Sequence, residues 1–426
     1  MLTAEQNDLL TRTGPGTGAG DLLRRYWQPV ALSAELPPGG APVPLQICGE
    51  ELVLFRDEQG RAGLLGLHCS HRGADLSYGR LEDGGLRCIY HGWLYDRTGR
   101  CLEQPGEPAG STFHEKIQHR AYPCREIAGA IFAYLGPGAS PLFPNYEFLH
   151  APIEQMHVNK VFHECNYLQG NEGNIDPVHL SYLHLMRQGA AAANEEMQRL
   201  NSFIERDVAP ALDVEETDFG IRIYAVRDAG AETRYVRVTN FIYPNLSAFT
   251  AAIPDSYSVN WHVPIDDTHH WKWMFNFSRN TRIDRDLMER FFFGDQLTPG
   301  HRFKRNRDNR YLQDREEMQY RTFLGLGGNF VLHDVVATEG QGPIGDRTQE
   351  HLATSDKAIV MERQLLLQAV QRVRDGGDAP HVIRRPEDNH LEHVGGMDFE
   401  LPRSADWKEH VRQVIADRQR QAVATG

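Results

Sequence analysis

The chain has 426 residues, 40% hydrophobic and 24% charged, which suits a soluble globular protein with room for two domains and one large core. Its 58 acidic side chains outnumber its 45 basic ones, and the net charge of −13 argues against nucleic acid or an anionic membrane surface as partner. The opening MLTAEQNDLLTRTG lacks the basic start and apolar run of a Sec signal, Arg24-Arg25 is followed by no apolar run, and no stretch reaches the length of a membrane span.

In chain order, residues 1–20 are polar and Gly-rich and read as an N-terminal arm. Residues 21–144 alternate short apolar/polar runs with Gly-rich turns, from LLRRYWQPVALSAEL through PLQICGEELVLFRDEQGR to REIAGAIFAYLGPG. This predicts an all-β first domain, closed by a linker at Pro141 and Pro144. Residues 145–426 read as a second, α+β domain. Its strand patterns are FGIRIYAVRD, RYVRVTNFIYPN and HWKWMFNFSR. In the last, Trp271, Trp273, Phe275 and Phe277 share one face, as in a half-buried antiparallel strand. The charged stretch FKRNRDNRYLQDREEMQYR is expected to be helical. A further helix is expected from about Asp356, capped by Ser355, with Ile359, Leu365, Leu366 and Val370 on its apolar face and a stop at Gly376-Gly377. One more short helix is expected near the end.

The stretch CSHRGADLSYGRLEDGGLRCIYHGW organises the first domain. Cys69-x-His71 and Cys88-x-x-His91 each offer one thiolate and one imidazole, and a glycine follows each pair. Two Cys on one iron and two His on the other are what a Rieske-type [2Fe–2S] cluster needs. Zinc also takes Cys2His2, but its usual spacing pairs Cys with Cys and His with His. The remaining cysteines, Cys48, Cys101, Cys124 and Cys165, have no framework spacing and read as free thiols of a reducing cytoplasm.

A second constellation is Asn174-Ile-Asp176-Pro-Val-His179-Leu-Ser-Tyr-Leu-His184. Two His five apart lie near one helix face, and two His with one carboxylate hold a mononuclear Fe(II) with positions open for O2. A plain pair of helix histidines is the bland alternative, and an upstream electron carrier weighs against it. The third ligand must come from further along. Asp334 is the first candidate, with Glu339, Asp346 and Asp356 as alternatives that spacing does not separate.

GPGTGAGDLLRRYWQPV, CSHRGADL, CIYHGW, ECNYLQGNEGNIDPVHLSYLH and QGPIGDRTQEHLATSD resemble, over nearly the whole length, the α subunits of Rieske non-haem iron aromatic oxygenases. The phthalate 4,5-dioxygenase branch is the most similar. The resemblance implies a C-terminal catalytic domain of helix-grip type, an antiparallel sheet flanked by helices. It implies His179, His184 and Asp334 as iron ligands, since an Asp preceding a Glu by five maps onto Asp334 and Glu339. It also implies that Asp176 bridges the two centres, accepting from His179 of its own subunit and from His91 of a neighbour. Alternatively, Asp176 before a proline suits a helix N-cap. Further implications are a head-to-tail homotrimer or stacked trimers, and a flavin/iron–sulfur reductase using NAD(P)H.

The implied reaction is O2-dependent hydroxylation of a small aromatic substrate, as ring dioxygenation or monooxygenation, with O-demethylation or ether cleavage as the alternative. An aryl carboxylate would need a cationic anchor, for which Arg237 and Arg222 are candidates. The phthalate enzymes align an arginine near the place of Ala211, so a monocarboxylate, aryl ether or larger apolar aryl substrate is favoured over phthalate itself. Two competing classes are an electron-transfer protein without oxygenase activity and a zinc-stabilised binding protein.

Overall fold

Two helices precede the first strand, α1 (Ala4–Thr11) and α2 (Gly18–Leu23). The computed structural model describes residues 1–186, 195–251 and 255–425. Thr3 and Gln6 form a capping box on α1, and Thr17 caps α2 by accepting the Gly20 N–H. The expected arm is therefore helical, and it is tied to the second half of the chain. The Tyr167 hydroxyl donates to the Leu10 carbonyl at 3.0 Å, Asn7 Nδ2 to the Gly345 carbonyl at 3.2 Å, and Arg12 pairs with Asp267 at 3.1 Å.

Short strands follow: β1 (Trp27–Leu32), β2 (Val43–Ile47), β3 (Glu50–Arg56), β4 (Ala62–Gly66), β5 (Arg80–Glu82) and β6 (Gly85–Arg87). Next come β7 (Leu94–Asp96), β8 (Cys101–Glu103), β9 (Ala121–Tyr122), β10 (Cys124–Ile127) and β11 (Ala130–Tyr134). They pair into three antiparallel sheets, β1-β11-β10, β2-β3-β4-β9 and β5-β6-β7-β8. The expected all-β first domain is present.

The second half runs α3 (Glu147–His150), β12 (Met156–His163), α4 (Tyr167–Ile175), α5 (Glu195–Arg206), β13 (Ala211–Thr217), β14 (Gly220–Asp228) and β15 (Thr233–Ile242). Then come β16 (Leu246–Thr250), β17 (Ser256–Pro264), β18 (His270–Ser278), α6 (Arg285–Phe292), α7 (Glu317–Tyr320) and α8 (Phe330–Gly340). The chain closes with α9 (Lys357–Arg374), β19 (Met397–Pro402) and α10 (Trp407–Thr425). One antiparallel sheet, β12-β18-β17-β16-β15-β14-β13 with β19 also on β15, is flanked by helices, as expected.

The two faces of this sheet have different work. Trp273, Phe275 and Phe277 on β18 join Trp261 and Val263 on β17 in the main core, where Phe132 of β11 packs on Trp261 and Phe275 with ring centroids 5.6 and 6.2 Å apart. Burying these rings joins the two halves through apolar surface. Lys160 of β12 adds an ion pair to Glu35 at 2.6 Å across the same junction. The opposite face of β18 carries His270, Lys272, Met274 and Asn276, all buried. The expected alternation is there, but the polar side faces the interior rather than solvent, so the strand is buried on both sides.

Three local expectations are corrected. The charged stretch 303–321 is largely irregular, with a kinked turn at Arg307–Leu312 in which Arg310, Tyr311 and Leu312 have φ of 52, 56 and 46°. It lacks an apolar stripe, and Arg305 spends its donors on the carbonyls of Tyr311, Leu312 and Leu326. In place of a Ser355 cap on α9, Asp356 Oδ2 accepts the Ala353 N–H in the preceding turn. The stop is as expected, with Gly376 left-handed at φ 82°. The terminal helix is long, at 19 residues.

Candidate active site: two donor clusters and a cavity

The cluster loops are built alike. The Gly73 N–H donates to the Cys69 carbonyl at 2.9 Å, and the Gly92 N–H to the Cys88 carbonyl at 3.0 Å. The Cys69 N–H closes its loop on Ala74 O, and the Cys88 N–H on Trp93 O, both at 2.8 Å. Gly73 and Gly92 sit at φ 72 and 75°, where a side chain is strained, and a Cβ on Gly92 would meet Pro105 Cγ at 2.6 Å. This is why a glycine follows each Cys–His pair.

Cys69 and Cys88 are buried, while His71 and His91 are half-exposed with ring centroids 4.4 Å apart. His71 stacks on Trp93 at 4.5 Å, and its buried Nδ1 has no hydrogen-bond partner. Burial pushes the Cys69 thiol up, with Cys88 beside it, and the Tyr95 hydroxyl lies 3.2 Å from its sulfur. Two buried thiols, two half-exposed imidazoles and a buried, unpartnered ring nitrogen fit a Rieske-type cluster, which the thiolates would hold at one iron and the imidazoles at the other.

The second set stands where α4 stops. Asp176 is the C-cap of α4, Pro177 follows, and Asp176 Oδ1 accepts the Val178 N–H at 2.7 Å. The pair His179 and His184 is therefore not on an α-helix: His179 opens a 3-10 turn, His179–Ser181, and His184 lies beyond it. The backbone carbonyl of Asp176 takes the His179 Nδ1 hydrogen bond at 2.5 Å, and its Oδ2 is 3.9 Å from that nitrogen. Asp176 is thus not a helix N-cap; its carboxylate stands within ion-pair distance of His179 Nδ1, while the hydrogen bond goes to its carbonyl.

Of the four candidate carboxylates, only Asp334 reaches both rings. Its Oδ1 lies 3.0 Å from His184 Nε2 and 3.9 Å from His179 Nε2. The three donor atoms lie within 4.8 Å of one another. Glu339 instead accepts from the Glu164 N–H and the Tyr311 hydroxyl, Asp346 closes an exposed turn at Thr348, and Asp356 bonds Ala353. Asp334 Oδ2 accepts from Lys272 Nζ at 2.7 Å. Burial pushes the Asp334 carboxyl up, but the Lys272 ammonium beside it holds it well below the usual range. Burial, and then the neighbouring His184, push the His179 imidazole below its usual range, which favours the uncharged ring. Both effects suit a divalent cation.

A cavity of about 370 Å³ opens over this set. Its lining includes Asp176, His179, His184 and Asp334, the polar sheet residues Thr239, Asn260 and Asn276, and Arg237. Arg237 reaches the Thr250 carbonyl at 3.3 Å. Arg222 is not brought here. Its register partner is Asn240, which lies on the sheet face opposite Arg237, and its guanidinium sits 5.3 Å over the Phe219 ring. Helix α5 was not anticipated, although Met197, Leu200 and Ile204, all lining the cavity, show helical spacing in EEMQRLNSFIER. Lys272 went unnoticed too. A third group, His163, Cys165 and His270, is fully buried, and there His270 donates from Nδ1 to Cys165 O at 2.8 Å and accepts from His262.

A two-Cys, two-His β domain joined to a two-His, one-carboxylate cavity defines a Rieske-type non-haem iron oxygenase subunit. Comparison with known proteins agrees. Residues 26–121 match the Rieske [2Fe-2S] domain and residues 133–425 the LigXa C-terminal domain like family. The chain is 39% identical over 399 residues to the phthalate 4,5-dioxygenase oxygenase subunit of Pseudomonas putida, covering 89% of this chain and 88% of the relative. It is 33% identical to the 5,5'-dehydrodivanillate O-demethylase oxygenase subunit of Sphingobium sp., covering 91% and 85%. Its fold is that of the oxygenase in the reduced oxygenase–ferredoxin complex of carbazole 1,9a-dioxygenase, with a TM-score of 0.57 at 20% identity, covering 91% and 94%. The chain belongs to the Rieske non-haem iron oxygenases as an oxygenase subunit, whose cofactors are a [2Fe–2S] cluster and a mononuclear iron. Among the described residues no helix is long and apolar enough to cross a membrane.

Proposed function

We propose that Cys69, His71, Cys88 and His91 hold the [2Fe–2S] cluster, that His179, His184 and Asp334 hold Fe(II), and that the enzyme hydroxylates an aryl carboxylate. The cavity wall carries the substrate reading. Arg237 is a cation facing a largely apolar space, and it donates to the Thr250 carbonyl rather than to a carboxylate, which leaves its charge for an anion. Met197, Leu200, Ile204 and Phe330 offer apolar surface to a ring, and Asn260 and Asn276 offer amides to its polar substituents. When bound, the cluster supplies single electrons and the iron supplies O2 reduction. The chain holds the ring near Asp334, excludes water and fixes which ring edge faces the two histidines.

The same reading assigns residues 1–20, 21–144 and 145–426 to arm, cluster domain and catalytic domain. It takes electrons from an NAD(P)H-dependent flavin/iron–sulfur reductase in the cytoplasm, a compartment that six unpaired cysteines suit. Each centre has exposed hydrophobic side chains beside it: Ile89, Tyr90 and Tyr78 near the cluster loops, Tyr182 and Phe323 near the iron ligands. A head-to-tail closed ring, a homotrimer or a stack of two, would set one group on the other and bring His91 to the neighbour's half-exposed Asp176.

The test is turnover of a panel of aryl carboxylates with reductase, NADH and O2, scored by product mass. His179→Ala should keep the cluster's visible spectrum and form no product. Product formation by that variant, or failure of every carboxylate while neutral aryl ethers react, would overturn the ligand or the substrate assignment respectively.

A further inference from the structure

We infer that His333 is a positioning residue that selects the tautomer of His184 and so aims its Nε2 lone pair at the metal position. This rests on the ligand set proposed above.

The argument follows donors and acceptors in turn. His333 Nε2 lies 2.9 Å from the Gly327 carbonyl oxygen, which can only accept, so the His333 proton sits on Nε2. A neutral imidazole has one proton, which leaves His333 Nδ1 as a bare acceptor. That nitrogen faces His184 Nδ1 at 3.2 Å, with the rings 5.4 Å apart and 19° from parallel. His184 therefore donates from Nδ1, and its Nε2 presents a lone pair toward Asp334 Oδ1, 3.0 Å away. Two lone pairs at that separation repel unless a cation lies between them. His184 and His333 are both buried, at 5% and 1% exposure, so solvent does not take over the acceptor role.

Helix α8 thus supplies two consecutive residues to the site, Asp334 as ligand and His333 as orienter of another ligand. Orienting partners of metal-bound histidines are commonly carboxylates, carbonyls or water. Here the acceptor is an uncharged ring nitrogen, which leaves His184 a less electron-rich ligand than a carboxylate partner would.

The experiment measures Fe(II) affinity of the mononuclear site in protein with its cluster intact, together with the electron paramagnetic resonance signal of the nitric oxide adduct. His333→Asn places an amide oxygen where Nδ1 stood and keeps the acceptor, whereas His333→Leu removes it. The leucine variant should lose about 10–100-fold in Fe(II) affinity and split the signal into more than one species, while the asparagine variant stays within about threefold. Wild-type affinity and an unchanged signal in His333→Leu, or an asparagine variant as poor as the leucine one, would overturn the inference. His184→Ala separates the two readings: if it binds Fe(II) like wild type, the ligand assignment itself is wrong. Should circular dichroism show His333→Leu unfolded, His333→Phe removes the same acceptor while keeping a ring.

Discussion

Replacing Lys272 by methionine tests whether the carboxylate at the iron position is held by charge or by geometry. The Lys272 side chain is 2% exposed, its Nζ lies 2.7 Å from Asp334 Oδ2, and Asp334 is 21% exposed. Removing one partner of a buried pair costs about 3–5 kcal/mol, because the other charge is left unpaired. Asp334 keeps some solvent contact, so the low end, about 3 kcal/mol, applies to protein stripped of its mononuclear iron. In a chain of this size that is on the order of 5 °C in Tm. Fe(II) held by Asp334 would supply the missing positive charge, so the iron-loaded variant should lose less than half as much. By linkage, Lys272→Met should then bind Fe(II) more tightly, by roughly tenfold for each 1.4 kcal/mol of difference. The assay is thermal unfolding by circular dichroism, with the mononuclear site chelated or reloaded anaerobically and the cluster absorbance as control. Weaker Fe(II) binding by the variant, or equal losses with and without iron, would show that the lysine acts by placing the carboxylate rather than by neutralising it.

Two further outcomes are expected. Burial and the adjacent Glu172 push the Glu362 carboxyl well above its ordinary range, so the fold binds its proton more tightly than the unfolded chain does and loses stability as pH rises past about 4.3. Glu362→Gln should remove up to about 1.4 kcal/mol per pH unit of that loss and leave stability below pH 4 unchanged; urea unfolding at several pH values that shows no pH-dependent gain refutes it. Arg237→Met should raise KM for aryl carboxylates by about 10–100-fold, as loss of a charged hydrogen-bond partner does, with little effect on a neutral aryl analogue. Equal effects on both would place the arginine outside the substrate's reach.

Where the chemistry is local in the chain, it was legible. Cys69, His71, Cys88 and His91 come in two short loops whose spacing and trailing glycines are set by one repeated turn, so the donor set could be named without tertiary information. His179 and His184 are also local, but the helix expected beneath them is absent. Pro177 and the Asp176 turn end α4 first, so the two rings meet through a tighter turn. Asp334 lies on a separate helix brought over the sheet by packing, and residue spacing alone left four carboxylates open. Only distance removes Glu339, which is buried and hydrogen-bonded elsewhere.

The sheet residues that escaped notice share one cause. Lys272, His270 and Asn276 alternate with Trp271, Trp273 and Phe275, and a strand that alternates polar with aromatic residues ordinarily has one wet side. Here helices cover that side and enclose the cavity, so the polar side chains are buried catalytic-face groups rather than solvated ones. The chain contains a hint of this. A solvated strand face tolerates any charged residue, whereas this one offers histidine, lysine and amides, and its neighbour β17 adds Ser258, Asn260 and His262 in register. Buried polar groups must find partners or ligands, so a run of amides and imidazoles on adjacent strands marks a lined site rather than a surface. Arg222 and Arg237 obey the same rule from the other direction. Both are strand arginines, but period-two geometry puts only one of them on the lined face, and that parity follows from the β14–β15 register, which no reading of either strand alone contains.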